Sequence, residues 1–549
     1  MRLIHIIFLL FLVHTIKCYS QSTTNFKPIC IVDSIYYITD EVFDTSGIDL
    51  PIAGPFLNKL HVTTKIKTIR YRLTFSEGDT LNQNIIDETE SALRGVGIFS
   101  EIKITPILKK SEKSDNDITH SVVEVKTRDG WSTQLAFSFD VGGDNETYKF
   151  SLREINLLGL GTELSLNNDY TTVNSKGMGY GISFKDPNLF GSRNSLDGLF
   201  YTNQFENTIN LNFLKPFYSD KATESYKIST SYFKGNNFFY TPDPIKTKRL
   251  SIPATFSGLS GWYAISSGEN DLFRTAGSLS FRGSSRDSSW SPWYPFENSI
   301  QLFGGISSTR RKFIRIPNVE SFGLSLVQIG GFGQVTLGKI IPINNGLDNG
   351  LYIGAGVSQS FYKNNFYTFI GIESGTSLSG KKSNMTIART SLKTIYSFNN
   401  YNSVVLNFNT SNVWNWDKYL VQRLDNGKGL RGYELYSLVG DNKINASFEY
   451  RFFPDIKFLF FTFGTVAFYD IGSVWTQGTK IINTKWHSSA GLGLRFTNLS
   501  SPVGLGVIRL EIPFNFDKDK LGQLIISTEQ PFDLFGKLDF QPPAPFLVN

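Results

Sequence analysis

The strongest constraint on the fold of this chain is an alternation of apolar and polar residues that starts near Trp131 and recurs towards the C-terminus. In one segment the apolar residues Ile444, Ala446, Phe448, Tyr450 and Phe452 alternate with the polar residues Asn445, Ser447, Glu449 and Arg451. Successive side chains of a β-strand point to opposite faces of the sheet, so each such segment predicts a strand with one apolar and one polar face. Because the same region has hardly any helical periodicity, the sequence predicts an antiparallel structure of many strands.

Both a soluble β-sandwich and a membrane-spanning barrel show this alternation. Charged residues make up 19% of the chain, against roughly a quarter in typical soluble domains, while aromatic residues reach 14%. The longest apolar run, Phe458–Tyr469, is shorter than the about 20 residues that a spanning helix needs. Only helices and closed barrels satisfy their backbone polar groups in lipid. Low charge, many alternating segments and an export signal together favour a transmembrane antiparallel β-barrel in residues 131–532.

The length of this region limits the number of strands without fixing it. About 16 strands of about ten residues each would leave about 16 residues for an average connection, which suits short turns at one end and longer loops at the other. About fourteen or eighteen strands fit the same length. We therefore expect a mainly β fold with a barrel of about 16 strands.

The N-terminal residues 1–20 have the features of a secretory signal peptide. Arg2 supplies a positive charge, Ile4–Val13 is an apolar core, and Ser20 is a small residue before a plausible cleavage point. Cleavage there leaves Cys30 as the single cysteine of the mature chain. We therefore expect an exported protein without an internal disulfide.

Residues 28–127 mix strand and helix signals and predict one small α+β domain. Thr80–Gly97 has the spacing of an amphipathic helix, and Asp79 or Thr80 is positioned to cap its start. The predicted strands are Lys67–Phe75, Ile98–Ile107 and His120–Thr127, with an additional candidate at Ile31–Phe43.

Five motifs follow one another along the predicted barrel. They are Phe137–Leu166, Phe184–Gly191, LRGY at Leu430–Tyr433, FYDIGSVW at Phe468–Trp475, and Trp486–Phe514. In this order they resemble the bacterial surface antigen family, the BamA- and TamA-like outer-membrane protein assembly factors. Residues 28–127, with the helix end at Leu93–Phe99, resemble one POTRA (polypeptide-transport-associated) domain. The resemblance implies an outer-membrane barrel with a single periplasmic POTRA-like domain. Members of the family with a long periplasmic arm carry several such domains.

The resemblance also implies a candidate site. It comprises the loop residues Leu430, Arg431, Gly432 and Tyr433 and the strand residues Phe468, Asp470 and Gly472. In the family the loop folds back into the barrel lumen, where Arg431 would meet Asp470. A guanidinium is a planar fork of donors that a carboxylate accepts bidentately. Gly432 would let the backbone turn sharply beside this pair.

A barrel closes where its first strand pairs with its last, here expected around Ser132–Val141 and Gln523–Phe532. The resemblance implies that this seam opens and that its edge pairs with an incoming strand. The candidate seam residues are Gly522, Pro531 and Phe532. Gly and Pro weaken a strand ladder, although Pro531 has the alternative role of merely ending the strand. Phe532 resembles the terminal aromatic residue of an insertion signal, and the tail at residues 533–549 departs from the family pattern.

The sequence gives no indication of an enzyme, a metal or a cofactor. The histidines at positions 5, 14, 61, 120 and 487 do not have the spacing of metal ligands, and no G-x-S-x-G or P-loop motif is present. The net charge of +6 comes from 54 basic and 48 acidic residues without basic runs. This distribution argues against a nucleic-acid partner.

The sequence therefore predicts a non-enzymatic protein of the bacterial outer membrane that assembles, inserts or translocates proteins. Its expected partners are unfolded or nascent outer-membrane or secreted polypeptides and outer-membrane lipid, with periplasmic accessory proteins as a further candidate class. Two alternatives stay open at this point. One is a two-partner-type secretion pore for one substrate, and the other is a passive porin or surface receptor.

Overall fold

The structure is a computed structural model, and it describes residues 29–42, 59, 61–108, 120–142, 145–218, 222–241, 248–267, 273–286, 298–319, 324–343, 349–380, 382–415, 422–425, 429–434, 436–458, 461–498, 508–527 and 531–546. The predicted signal peptide, residues 1–20, lies outside the described residues. None of the helices in these ranges has the length and apolarity to cross a membrane.

The N-terminal module (residues 29–129) is a four-stranded sheet with two helices. Its elements are β1 (Cys30–Asp40), α1 (Ile66–Arg70), β2 (Thr80–Leu81), α2 (Gln83–Arg94), β3 (Phe99–Leu108) and β4 (His120–Asp129). The strand order is β2-β1-β4-β3, with β1 parallel to β4 and the other neighbours antiparallel. Leu93 of α2 and Val123 and Val125 of β4 are fully buried in one core. The module therefore has its own hydrophobic centre.

Two predictions for this module are corrected. Helix α2 starts after Asn82, whose side chain accepts a hydrogen bond from the Ile85 N–H at 3.0 Å, whereas Thr80 pairs with β1. The predicted strand Lys67–Phe75 is wrong because α1 occupies its first half. Ile69 and Leu73 are both buried and lie four residues apart, a spacing that suits a helical turn as well as a strand.

The described residues that follow the module are built mainly from strands. They are β5 (Thr133–Gly142), β6 (Asn145–Leu157), β7 (Thr162–Thr171), β8 (Gly177–Leu189), β9 (Asn194–Asn203), β10 (Glu206–Lys215), β11 (Glu224–Thr241), β12 (Lys248–Ser266), β13 (Phe273–Arg286), β14 (Ser299–Pro317), β15 (Leu324–Pro342), β16 (Gly350–Lys363), β17 (Phe366–Ser379), β18 (Lys382–Ser397), β19 (Asn402–Trp414), β20 (Gln422–Arg423), β21 (Val439–Gly440), β22 (Asn442–Phe452), β23 (Lys457–Phe458), β24 (Phe461–Trp475), β25 (His487–Asn498), β26 (Ile508–Asn515), β27 (Lys520–Leu521) and β28 (Ile525–Ser527). Short 3₁₀ turns lie at Val173–Ser175 and Ile481–Asn483.

These strands form one antiparallel barrel, with β20 and β21 as a separate two-stranded piece and β23 and β27 as short additions to the wall. Alternate side chains lie on opposite faces of the barrel wall, as the period of two predicts. Leu279 and Leu492 point outward and are 69% and 70% exposed, whereas Arg495 and Glu511 point inward and are buried. The predicted mainly β fold with an antiparallel barrel is confirmed.

The barrel has more strands than the chain length suggested. Strands β5 to β19 supply fifteen, and β22, β24, β25, β26 and β28 supply five, so twenty strands form the ring in the described residues. Several connections are much shorter than about 16 residues, the average that a sixteen-stranded barrel would have. Asn364 and Asn365 alone join β16 to β17, with φ of 51° and 61°. Asparagine tolerates this left-handed backbone, and such two-residue turns leave more of the chain for strands.

The N-terminal module packs against the barrel at the turn between β6 and β7. The main-chain N–H of Lys65 and the hydroxyl of Thr68 both donate to the Gly159 carbonyl, at 2.9 and 3.0 Å. The side-chain amide of Asn156 donates to the Thr64 hydroxyl oxygen at 2.9 Å. These bonds fix the module at the end of the barrel where β4 leads into β5.

Replacing Gly159 with alanine is expected to loosen this junction. Gly159 has a φ of +73°, and a Cβ there would lie 2.6 Å from the Thr63 carbonyl oxygen. The left-handed backbone would cost a non-glycine residue about 1–2 kcal/mol, and the contact would push the module away. We expect added protease to release the N-terminal module faster from this variant. Gly78→Ala is the matched control, because Gly78 has a φ of +90° but no neighbouring atom within 4 Å; equal release from both variants would contradict the prediction.

Candidate functional site

The connection between β19 and β22 folds back into the barrel. The Leu430 N–H donates to the Leu424 carbonyl at 2.7 Å. The Asp425 carboxylate accepts from Arg423 at 2.8 Å and from the Leu438 N–H at 3.2 Å. Burial raises the pKa of the Asp425 carboxyl, while Arg423 opposes this shift. The buried apolar residues of the loop are Leu424, Leu430, Tyr433 and Leu438.

Arg431 lies on this loop and is 4% exposed. Its Nε and Nη2 donate to the two carboxylate oxygens of Asp470 at 2.8 and 2.7 Å, a bidentate geometry. Its Nη1 donates to Glu449 at 2.7 Å and to Glu511 at 3.2 Å. The guanidinium carbon is 3.6 Å from the centroid of the Phe468 ring, a cation–π contact. The structure thus brings the loop motif and the strand motif together around one guanidinium.

Three further arginines extend this site into a buried charge cluster. The charge cluster consists of Arg431, Glu449, Arg451, Asp470, Arg495, Arg509 and Glu511. Arg451 Nε donates to Glu449 at 2.8 Å, and Arg509 Nη1 donates to Glu511 at 2.9 Å. Arg495 also donates to Glu511. Each carboxylate in the cluster therefore has a guanidinium partner, the condition under which buried charges are tolerated.

The other motif residues fit the loop to the barrel wall. Gly432 has a φ of +82°, and a Cβ there would lie 2.9 Å from Pro513. A Cβ at Gly472 would lie 3.0 Å from the Leu430 side chain. The Tyr433 hydroxyl donates to a main-chain carbonyl of β25 at 3.0 Å. The two glycines therefore allow the close approach, and the tyrosine ties the loop to the wall.

The seam between β28 and β5 is short. Ile526 faces Val141 and Ser527 faces Asp140, and these two pairs join the strands in the part of the chain that the structure describes. On its other side, β5 is joined to β6 by ten residue pairs, from Thr133 to Gly142. In the described residues, two pairs thus complete the ring.

The predictions for the final strand are corrected. The sequence predicts a strand around Gln523–Phe532, but β28 ends at Ser527. Gly522 precedes β28, and its N–H donates to the Pro513 carbonyl at 2.7 Å. Pro531 and Phe532 lie beyond the strand, and Phe532 packs against an apolar cluster inside the lumen. Phe532 is half-buried there and belongs to no strand, so the structure does not place it at the end of a wall strand.

The sequence motifs alone do not identify most of the charge cluster. The missed residues are Glu449, Arg451, Arg495, Arg509 and Glu511. One signal is present in the sequence: Glu449 and Arg451, like Arg509 and Glu511, occupy alternate positions on the polar face of an otherwise apolar segment. Which of these charges meet depends on the register between strands, which this pattern does not give.

Residues 363–530 match the Omp85 superfamily domain. In this segment the chain is similar to the Omp85 superfamily. The matched segment contains the loop with Arg431, the whole charge cluster and β28. The resemblance to the BamA- and TamA-like family is therefore confirmed.

The chain is also similar to a curated relative, the outer membrane protein assembly factor BamA of Buchnera aphidicola subsp. Acyrthosiphon pisum (strain APS). The two chains are 25% identical over 214 residues. The alignment covers 37% of this chain and 33% of the relative, so the chain spans about a third of the length of the relative that it matches.

Solved structures with a similar fold include BamA and CdiB proteins. BamA from Haemophilus ducreyi lacking POTRA domains 1–3 is 14% identical, with a TM-score of 0.39 and coverage of 90% of this chain and 84% of that chain. CdiB from Escherichia coli is 10% identical, with a TM-score of 0.46 and coverage of 92% of each chain. CdiB from Acinetobacter baumannii is 12% identical, with a TM-score of 0.42 and coverage of 91% and 74%.

Proposed function

We propose that this protein inserts or translocates polypeptides at the bacterial outer membrane and catalyses no chemical reaction. The short seam is the observation that carries the proposal, since two residue pairs join β28 to β5 in the described residues. A strand edge with unpaired N–H and C=O groups is a template for another strand. Parting two residue pairs requires breaking far fewer hydrogen bonds than parting ten. The seam is therefore where the strand of a client (a polypeptide that the barrel handles) would be added.

The outward face of the barrel supports a position in the membrane. Leu279, Leu337 and Leu492 point outward and are more than half exposed. Side chains of this kind are stable when they face lipid and unfavourable when they face water. We infer that residues 131–532 hold the membrane-spanning barrel in the outer membrane.

The N-terminal module fits a role in the periplasm as a POTRA-like domain of residues 28–127. It docks at one end of the barrel, and β3 forms an edge of its sheet in the described residues. An edge strand can pair with an extended polypeptide before that polypeptide reaches the barrel. We infer that unfolded outer-membrane or secreted polypeptides bind there, with periplasmic accessory proteins as further partners.

The charge cluster supports a positioning role rather than a catalytic one. Arg431 donates to three carboxylates, and each of these carboxylates is held by at least one guanidinium. Such a network fixes the loop against the wall. We infer that the loop is held inside the lumen so that the wall beside the seam keeps its shape.

Depletion of the protein in its native host tests the proposed function. We expect the amounts of many outer-membrane proteins to fall together in a quantitative proteome of the outer membrane. Loss of one secreted protein alone would narrow the proposal to a two-partner-type pore for one substrate, whereas altered solute uptake alone would indicate a porin and overturn the proposal. Heat-modifiable migration of the purified protein on a gel checks that the barrel is folded.

A further inference from the structure

The C-terminal segment of the chain lies inside the barrel. Leu534 and Leu538 are 2% and 0% exposed. They pack in one cluster with inward-facing residues of β14, β15, β17, β18 and β19. We call residues 531–546 the tail segment. Its position is unexpected for a stretch that follows the last wall strand, and it places a polypeptide along the lumen.

The wall holds the tail segment largely by its main chain. The N–H groups of Gly536, Leu538 and Phe546 donate to Tyr367 Oη at 3.1 Å, Gln328 Oε1 at 3.1 Å and Tyr352 Oη at 2.8 Å. The carbonyls of Phe535 and Pro543 accept from Lys393 Nζ at 3.3 Å and Ser280 Oγ at 2.5 Å. Every polypeptide presents main-chain groups of these kinds. The wall side chains are therefore arranged to bind the main chain of an extended polypeptide, and these contacts do not depend on the side chains that the polypeptide carries.

Pockets for large apolar side chains fix the position of the tail segment along the barrel wall. The ring of Phe540 lies 5.2 Å from that of Phe217 and 5.3 Å from that of Trp262. A Cβ at Gly375 of the wall would lie 3.0 Å from the ring of Phe546. Together with the buried Leu538, these contacts favour a bound chain with leucine or aromatic residues spaced along it. The prolines at positions 542, 543 and 545 keep that part of the tail extended before it binds.

The tail segment does not fill the lumen. A cavity of about 500 Å³ remains beside it, lined on one side by Phe532, Lys537 and Phe546 and on the other by polar residues such as Asn407 and Asn409. A second extended chain thus has space to approach the groove while the tail segment is in place.

We propose that the path of residues 531–546 is a lumenal binding groove for extended polypeptide, and that the tail segment is its resident occupant. A client segment with suitably spaced leucine or aromatic residues displaces the tail by taking over the same main-chain contacts. This inference rests on the proposed function, and it names the site at which that function engages a polypeptide.

The same groove is connected to the N-terminal module through Arg311. Arg311 Nη1 donates to Asp539 of the tail segment at 2.6 Å, and its Nη2 donates to Glu88 of α2 at 3.4 Å. Beside it, Arg315 donates to Glu90 of α2 at 2.9 Å. Arg311 therefore contacts the tail segment and the N-terminal module at the same time.

Conductance in planar lipid bilayers tests the groove. The full chain is expected to conduct weakly, and a variant lacking residues 531–549 is expected to conduct severalfold more. A synthetic peptide with the sequence of residues 531–546 should restore the low conductance of the truncated variant. The same peptide with aspartate in place of Leu534 and Leu538 should not. Unchanged conductance on truncation, or equal block by both peptides, would overturn the proposal.

A full-length variant removes the risk that truncation disturbs folding. Tyr352→Phe combined with Tyr367→Phe deletes two acceptors of the tail segment and should raise the conductance while heat-modifiable migration stays normal. Tyr201→Phe is the matched control, because that hydroxyl bonds Asp169 and Asn203 instead. Equal conductance of the double variant and the control would contradict the groove. Normal peptide block with an unchanged outer-membrane proteome after depletion would instead reject the proposed function and leave the groove standing.

Discussion

Replacing Arg431 with alanine is expected to leave the barrel folded but to free the loop from the lumen and impair function. Glu449 retains Arg451, and Glu511 retains Arg495, but Asp470 loses its bidentate partner. Removing one member of a buried ion pair costs about 3–5 kcal/mol, less where lumenal water reaches the exposed charge. We expect faster proteolysis within the loop and a lower temperature for the heat-modifiable shift.

A double substitution separates the cost of leaving the Asp470 carboxylate unpaired from the loss of its contact with Arg431. Arg431→Ala with Asp470→Ala removes both charges, so it should be less destabilising than Arg431→Ala alone. Arg94→Ala serves as a control, because the Arg94 side chain is 54% exposed, lies outside the barrel, and leaves Glu90 its second partner Arg315. Unchanged loop proteolysis and full activity in Arg431→Ala would refute the role given to this residue.

Locking the seam is expected to abolish the proposed activity. Ile526 and Val141 face each other across the seam, so a disulfide between cysteines at these positions would prevent β28 and β5 from separating. If client strands are added at this edge, the oxidised variant should fail to support outer-membrane protein assembly. Reduction should restore it. The measurement is complementation of the depleted strain, with the disulfide followed by gel migration.

A second cysteine pair controls for the effect of a disulfide in the wall. Ile209 and Tyr232 face each other within the ten-pair junction of β10 and β11. A disulfide there should leave assembly unchanged, because this junction has no reason to open. Full complementation by the oxidised seam variant would show that the seam stays closed during function.

The loop site shows what a motif can and cannot predict. Arg431 and Asp470 were identifiable because their motifs resemble those of a known family, and the structure brings them within 2.7 Å of each other. Glu511 lies 80 residues from Arg431 along the chain, and no local pattern links the two. Their contact follows from the order of β22, β24, β25 and β26 in the wall, since register brings distant inward positions together.

The end of the chain shows the same limit. Pro531 and Phe532 fit the end of a strand by composition, and the sequence assigned the following residues no role. In the structure Phe532 and Leu534 pack inside the lumen. The groove that accepts them is built from five strands that come together only when the barrel closes. Its shape therefore cannot be predicted from the sequence of any one segment.

The sequence by itself determined the class of the fold, because an alternation of period two is a property of each strand alone and survives in any register. It also indicated the family resemblance, through motifs carried by short segments. The tertiary structure decided the number of strands, the two residue pairs at the seam, the partners of the charge cluster and the place of the tail segment. These depend on which distant strands pair and on how long each connection is, and both are set by the closure of the whole barrel.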